Sequence, residues 1–364
     1  MKLEYIFAFF AVIGALDRIF GNKFKLGDEL ERGIMTIGVL VFSMAGTMVL
    51  APVIAQGLSF VFKPVAEFLH IDLSVISIFI ANDSGGAVMA YELSADEQMR
   101  AYNGLIVASM FGATICPVVP LSLKIVDKKY HEDVLTGLLC GIATIPAGCI
   151  VAGIIMQIPF VKLVLNTLPM LALSLIICLG LAKAPDITRK IFGGFGELLM
   201  IVIVVGLAVG IVDQLAGIKL IPGIAPLSDT FLIIGNIGII LAGVFPLLAI
   251  LSKIFGRLFK KLGNALKINE ISVLGFVTTL ANSVPMLSMM ENMNKKGRVL
   301  NMAFAVSAAF VFGDHLAFTL AFDGKYVTPM IIGKLISGLA ALVLANLIYN
   351  KQMKKGDSSY DKQQ

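Results

Sequence analysis

Two short polar runs, Asn82-Asp83-Ser84 and Asn282-Ser283, interrupt stretches that are otherwise almost wholly apolar. A carboxylate, an amide and a hydroxyl side by side can bind a solute carrying both a positive charge and a hydroxyl group. The second run keeps the amide and the hydroxyl but lacks the charge. Together they offer one negative group, which suits a monovalent cation. Another carboxylate, Asp314, stands in a later apolar stretch as Gly313-Asp314-His315, with Ser307 before it. An ionisable group in such surroundings is costly and is a site candidate by default. Asp314 is thus a further candidate for an ammonium partner. His315, with an ordinary pKa of about 6.5, is a candidate proton-linked group. The plainer alternative is an Asp–His hydrogen bond that only locks the fold. Lys334 lies about two turns inside the next apolar stretch, where it would either snorkel outward or pair with Asp314 as a charge partner. If it pairs, Asp83 is the uncommitted carboxylate.

Fifty-eight per cent of the residues are hydrophobic and 15% charged, with a mean hydropathy of +0.91. A soluble domain has about 45–50% apolar and 25% charged residues. The apolar runs have roughly the 20 residues that a bilayer core demands, so the chain reads as an all-α polytopic membrane protein with the lipid bilayer as a partner. Its net charge of +5 sits in loops and reads as orientation, with no nucleic-acid partner implied. Cys116, Cys140, Cys149 and Cys178 lie in apolar stretches without ligand spacing and read as small hydrophobes. The methionines from Met286 to Met293 read as packing. No Walker loop, GxSxG or HExxH run occurs, and Gly193-Gly194-Phe195-Gly196 has no following Lys-Ser/Thr. No cofactor, metal or enzymatic activity is expected. An intramembrane enzyme using Asp314 and His315 is the remote alternative.

The chain is written twice. Gly14, Asp17 and Gly21 recur as Gly210, Asp213 and Gly217 at an offset of 196, and Gly38, Ala45 and Gly46 as Gly235, Ala242 and Gly243 at 197. Asp127, Lys129, Tyr130 and Gly137 recur as Asp323, Lys325, Tyr326 and Gly333, again at 196. Duplication in a hydrophobic chain is a transporter signature. Residues 1–158 form the first repeat, 159–190 a linker helix and 191–350 the second repeat. The polar tail 351–364 is expected to be disordered on the cytoplasmic side. Residues 3–20 read as a span and not as a cleaved leader, because no small-residue cleavage site follows.

Eleven apolar segments can be drawn, at about 3–20, 33–61, 73–92, 101–123, 134–158, 160–182, 191–216, 230–252, 271–290, 299–322 and 327–349. If all eleven cross, some of them broken, the basic residues divide evenly between the two sides. If segments 3 and 9 dip in and return, 22 of the 29 Lys and Arg fall on one side. That is what the positive-inside rule asks. Both segments carry breakers at the polar runs, Gly85-Gly86 in one and Pro285 in the other. The preferred reading is therefore nine transmembrane helices plus two re-entrant hairpins, with the alternative of eleven crossing helices. Segments 1 and 7 are then five crossings apart, the linker helix included, which turns the second copy upside-down, an inverted-topology repeat whose hairpin tips can meet near the midplane. The N-terminus would lie outside and the C-terminus inside. The stretch from Lys253 to Asn269 alternates basic and apolar residues and is expected to be an amphipathic helix on the inner leaflet.

Leu280-Ala-Asn-Ser-Val-Pro-Met286, and Asn301-Met-Ala-Phe-Ala-Val-Ser-Ala-Ala-Phe310 leading into Gly313-Asp314-His315-Leu316, resemble the ethanolamine permease family of ethanolamine-utilisation operons. Leu16-Asp17-Arg18-Ile19, Asp83-x-Gly85-Gly86 and Gly333-Lys334-Leu335-Ile336 fit the same family, and the likeness runs from about residue 5 to 349. The resemblance implies uptake of ethanolamine across the inner (plasma) membrane, feeding a cobalamin-dependent lyase in a microcompartment. Ethanolamine suits the residues. Its amine should titrate near 10, as a lysine does, so it is charged at neutral pH and crosses lipid poorly. Coupling to a proton or sodium gradient, a different small amine as substrate, and assembly as a homo-oligomer all stay open.

Overall fold

The computed structural model describes residues 3–80 and 85–360, and every regular element among them is helical. Asn82, Asp83 and Ser84 lie outside the described residues. Chains in lipid satisfy their backbone groups internally, which favours helices over any open sheet. The helices are α1 (Leu3–Ile19), α2 (Leu26–Leu69), α3 (Ser77–Ile80), α4 (Gly85–Leu93) and α5 (Glu97–Ala101). They continue as α6 (Val119–Ile125), α7 (His131–Ile155), α8 (Phe160–Lys183), α9 (Pro185–Ala216) and α10 (Leu227–Leu266). Last come α11 (Glu270–Ala281), α12 (Ser283–Met289), α13 (Lys295–Ala308), α14 (Asp314–Asp323) and α15 (Val327–Tyr360). Among the described residues six stretches are long and apolar enough to cross a membrane, so the protein is a polytopic membrane protein.

Local chemistry accounts for the boundaries. The Asp17 carboxylate accepts from the backbone N–H of Phe24 (3.1 Å) and Leu26 (2.8 Å), closing the turn between α1 and α2. The basic stretch from Lys253 is not a separate helix. It continues α10, which runs 40 residues to a left-handed cap at Lys267, because no proline follows Pro246 to stop it. Between α5 and α6 the chain adopts π-helix over Tyr102–Gly112 and Thr114–Val118. Wide turns of this kind are rare and gather at functional sites.

α3, α4, α11 and α12 are short. At about 1.5 Å per residue none approaches the roughly 30 Å of a hydrocarbon core. The chain that leaves at Asp72 returns at Ser94, whose hydroxyl donates to the Asp72 carboxylate at 2.7 Å. The α11–α12 pair closes likewise. Asn269 Nδ2 donates to the Asn292 carbonyl at 2.8 Å, and Asn294 Nδ2 to that of Lys267 at 3.3 Å. α7 separates the two closures. Gln98 Nε2 reaches the Met156 carbonyl at one end of it (3.0 Å), and the Tyr130 hydroxyl reaches the Glu291 carbonyl at the other (3.5 Å). The 25 residues of α7 span about 37 Å between these ends.

Helices from the two halves of the chain pack against one another. α1 packs on α10, α9 packs on α2, and α2 packs on α10, while α7 is sandwiched with α13 and α15. Gly46 lies so close to α9 that a Cβ would stand 1.7 Å from the Ile203 carbonyl oxygen. Its counterpart Gly243 would stand 2.2 Å from that of Phe7. Phe7 and Ile203 are themselves counterparts, so the same crossing is built twice. Met286, Met290 and Met293 are buried packing.

Candidate functional site

Segment 10 does not run through. α13 stops at Ala308 and α14 starts at Asp314, and between them Phe310 takes a left-handed conformation (φ 62°), costly for an aromatic residue. The freed backbone finds partners on α11. The N–H of Phe310 donates to the Thr279 carbonyl (3.1 Å), and that of Phe312 to the Leu280 carbonyl (2.8 Å). Those carbonyls are orphans of the last turn of α11 and need donors from outside the helix. Gly313 completes the contact, since a Cβ there would stand 2.1 Å from the Ala281 carbonyl oxygen.

The α11–α12 break falls at Asn282, which is extended (φ −159°) and caps α12 by accepting from the Val284 N–H at 2.8 Å. Its amide oxygen keeps a second lone pair and Nδ2 can donate, so both ends of the amide can meet a ligand. Pro285 is the third residue of α12, in the first turn, where a missing N–H costs nothing. Gly85 and Gly86 open α4. Ser283 is buried and its hydroxyl has no hydrogen-bond partner; the same holds for Thr279, a residue the sequence reading passed over.

The C-terminal ends of α11 and α13 and the N-terminal ends of α12 and α14 thus meet at one junction. Asp314 stands in the first turn of α14, where the helix dipole favours a carboxylate. His315 is buried, with its ring 5.3 Å from that of Phe310. Lys334 does not snorkel: it is 1% exposed, and Nζ donates to the Ser109 carbonyl in the π-helical stretch at 2.5 Å. None of Asp314, His315 and Lys334 is without a partner. Ser307 pairs with Ser337 at 2.6 Å, and Thr114 Oγ1 donates to the Val306 carbonyl at 2.9 Å, stitching segment 4 to segment 10. Among the described residues no cluster of three or more His, Cys, Asp or Glu could hold a metal.

The two ends of the molecule are tied unequally. At the Tyr130 end Arg298 Nε donates to Asp133 (2.7 Å), with the guanidinium 4.0 Å from the Tyr130 ring, and the pair is 11% and 6% exposed. At the Met156 end Lys325 pairs with Glu97 at 51% and 58% exposure, and Lys162 pairs with Asp96. The hydrogen bond and charge of Lys325 hold the Glu97 carboxyl below its ordinary range, and Glu97 in turn pushes the Lys325 ammonium up. An open cavity of about 550 Å³ lies at the same end, lined by Lys63, Glu67, Asp72, Ser94 and Asp96 among others.

The ethanolamine utilisation protein EutH family model matches residues 2–348. The chain belongs to the EutH family. It is 40% identical over 352 residues to the probable ethanolamine permease EutH of Listeria monocytogenes, covering 96% of this chain and 94% of that protein. The EutH proteins named probable ethanolamine permease in Salmonella typhimurium and Escherichia coli are 36% and 35% identical, each over 96% of this chain and 95% of the relative. Relatives named probable permeases fit the absence of a recognisable catalytic motif in the sequence. No solved structure matches this EutH chain.

Proposed function

We propose that this protein carries ethanolamine, as the protonated amine, across the cytoplasmic membrane by alternating access between two inverted halves. The observation that carries the reading is the junction of four helix ends around Asp314, where charged and polar groups sit between apolar helices. Short pairs α3–α4 and α11–α12, each closed on itself at opposite ends of α7, support two re-entrant hairpins beside nine crossings. The exchanged contacts of Gly46 with Ile203 and Gly243 with Phe7 support the inverted repeat. The Tyr130 end gathers Lys128, Lys129, Lys267, Lys295, Lys296 and Arg298, which supports a cytoplasmic location for it and for the C-terminus.

Asp83 and Asp314 take the ammonium, and Asn82, Ser84, Asn282 and Ser283 supply neutral polar contacts to the rest of the substrate. His315 next to Asp314 is the group through which a proton gradient would act, and Lys334 is a fixed internal cation. The buried Arg298–Asp133 tie against the exposed Lys325–Glu97 tie supports a state shut at the Tyr130 end and looser at the Met156 end. The test is uptake of labelled ethanolamine by proteoliposomes with pH and sodium gradients set independently. Asp83→Asn or Asp314→Asn should abolish uptake while the protein stays folded. Normal uptake in both would refute the site, and uptake of another amine that ethanolamine cannot compete would refute the substrate.

A further inference from the structure

We infer that the hydroxyls of Thr279 and Ser283 form the socket for the substrate's own hydroxyl, making the carrier select an amino alcohol over the matching alkylamine. The inference rests on the function proposed above. Buried Ser and Thr in helices ordinarily return their hydroxyl to a carbonyl three or four residues back. Thr278 does so to Gly275 (3.1 Å), Thr114 to Met110 (2.6 Å) and Thr167 to Leu163 (2.7 Å). Thr279 does not, although it is 0% exposed, and Ser283, the first residue of α12 and 1% exposed, finds no partner elsewhere. Among the described residues the other buried hydroxyls in this condition are Tyr91 and Ser174. Two of the four therefore fall within five residues of each other, on either side of the Asn282 break.

Their position points to a ligand and not to a packing fault. The Thr279 backbone is held against the segment 10 break by Phe310, and Ala281 lies against Gly313, next to Asp314. Two unused hydroxyls thus stand at the junction that supplies the carboxylate. A hydroxyl both donates and accepts, which matches an alcohol and is wasted on a bare ammonium. A site built to bond a substrate hydroxyl can reject the analogue lacking it by roughly 10⁴-fold, because the site's own groups are then left unpaired.

The experiment is competition of labelled ethanolamine uptake by unlabelled ethanolamine or ethylamine, in proteoliposomes holding the full chain. Wild type should favour ethanolamine by roughly 100-fold or more. Thr279→Val keeps the shape and the backbone contact to Phe310. It and Ser283→Ala should each weaken ethanolamine by roughly tenfold or more while leaving ethylamine unchanged. Thr279→Ser should keep selectivity. Equal weakening of both amines, unchanged selectivity, or loss of a sodium dependence with selectivity intact would overturn the inference alone. A wild-type protein that carries neither amine would overturn the proposed function and this inference with it.

Discussion

Asp133→Asn is the sharpest probe of the shut state proposed for the Tyr130 end. It preserves volume but removes the charge that Arg298 Nε meets at 2.7 Å. A hydrogen bond between charged groups contributes about 1.5–3 kcal/mol, and stripping one partner from a buried pair costs about 3–5 kcal/mol. Arg298 keeps the Met293 carbonyl at 2.6 Å and the Tyr130 ring at 4.0 Å, so the cost should sit near the lower figure. At about 2 kcal/mol the balance between closed and open shifts roughly 30-fold toward open. Met290 is fully buried beside Glu291, whose carbonyl takes the Tyr130 hydroxyl. In a background with the four cysteines replaced by alanine, Met290→Cys should react with an impermeant thiol reagent roughly 30 times faster when Asp133→Asn is added. Asp133→Glu should restore slow labelling. An unchanged rate in a folded Asp133→Asn protein would refute the latch.

Three further outcomes follow from the same contacts. Lys334→Met removes a charge-assisted bond to the Ser109 carbonyl worth about 2 kcal/mol and should lower the melting temperature in detergent; unchanged melting would count against a structural tie to the π-helical stretch. Gly313→Ala forces a Cβ to 2.1 Å from the Ala281 carbonyl and should cost about 1–3 kcal/mol of stability along with most of the uptake, read by melting and transport together. The depressed Glu97 carboxyl contributes above its unfolded value and is lost only as pH falls through its lower folded value. The raised Lys325 contributes below its unfolded value and is lost only as pH rises through its higher folded one. Their tie is therefore complete between about pH 4.3 and 10.4, and Glu97→Gln should leave the shape of the pH profile of uptake between 6 and 8 unchanged.

Much of the architecture was legible because lipid constrains it severely. Apolar runs, the Gly85-Gly86 pair and the offset repeats all follow from residue type, whereas Pro285, expected as the breaker of segment 9, sits in the first turn of α12 and the break falls at Asn282. The break at Ala309–Gly313 was not legible, since Phe310 carries no turn signal and is held left-handed by carbonyls more than two dozen residues away. The π-helical turns were hidden for the same reason, because hydropathy is blind to how a helix is wound. The amphipathic helix expected from Lys253 to Asn269 is the end of α10, which runs without a break to Leu266, because a change in composition is not a change in element. Of the candidate residues, Asp314 and Ser283 fall at one junction. Thr279 escaped notice because a threonine in an apolar run looks ordinary until its hydroxyl is found without a partner.

Sided labelling tests the central claim most directly. Single cysteines at Glu67 and Ala95 flank the first hairpin, and at Lys267 and Glu291 the second. The account predicts that the first two react only from outside the cell and the second two only from the cytoplasm. Reaction of Glu67→Cys and Ala95→Cys from opposite sides would make the third segment a crossing helix and contradict the account.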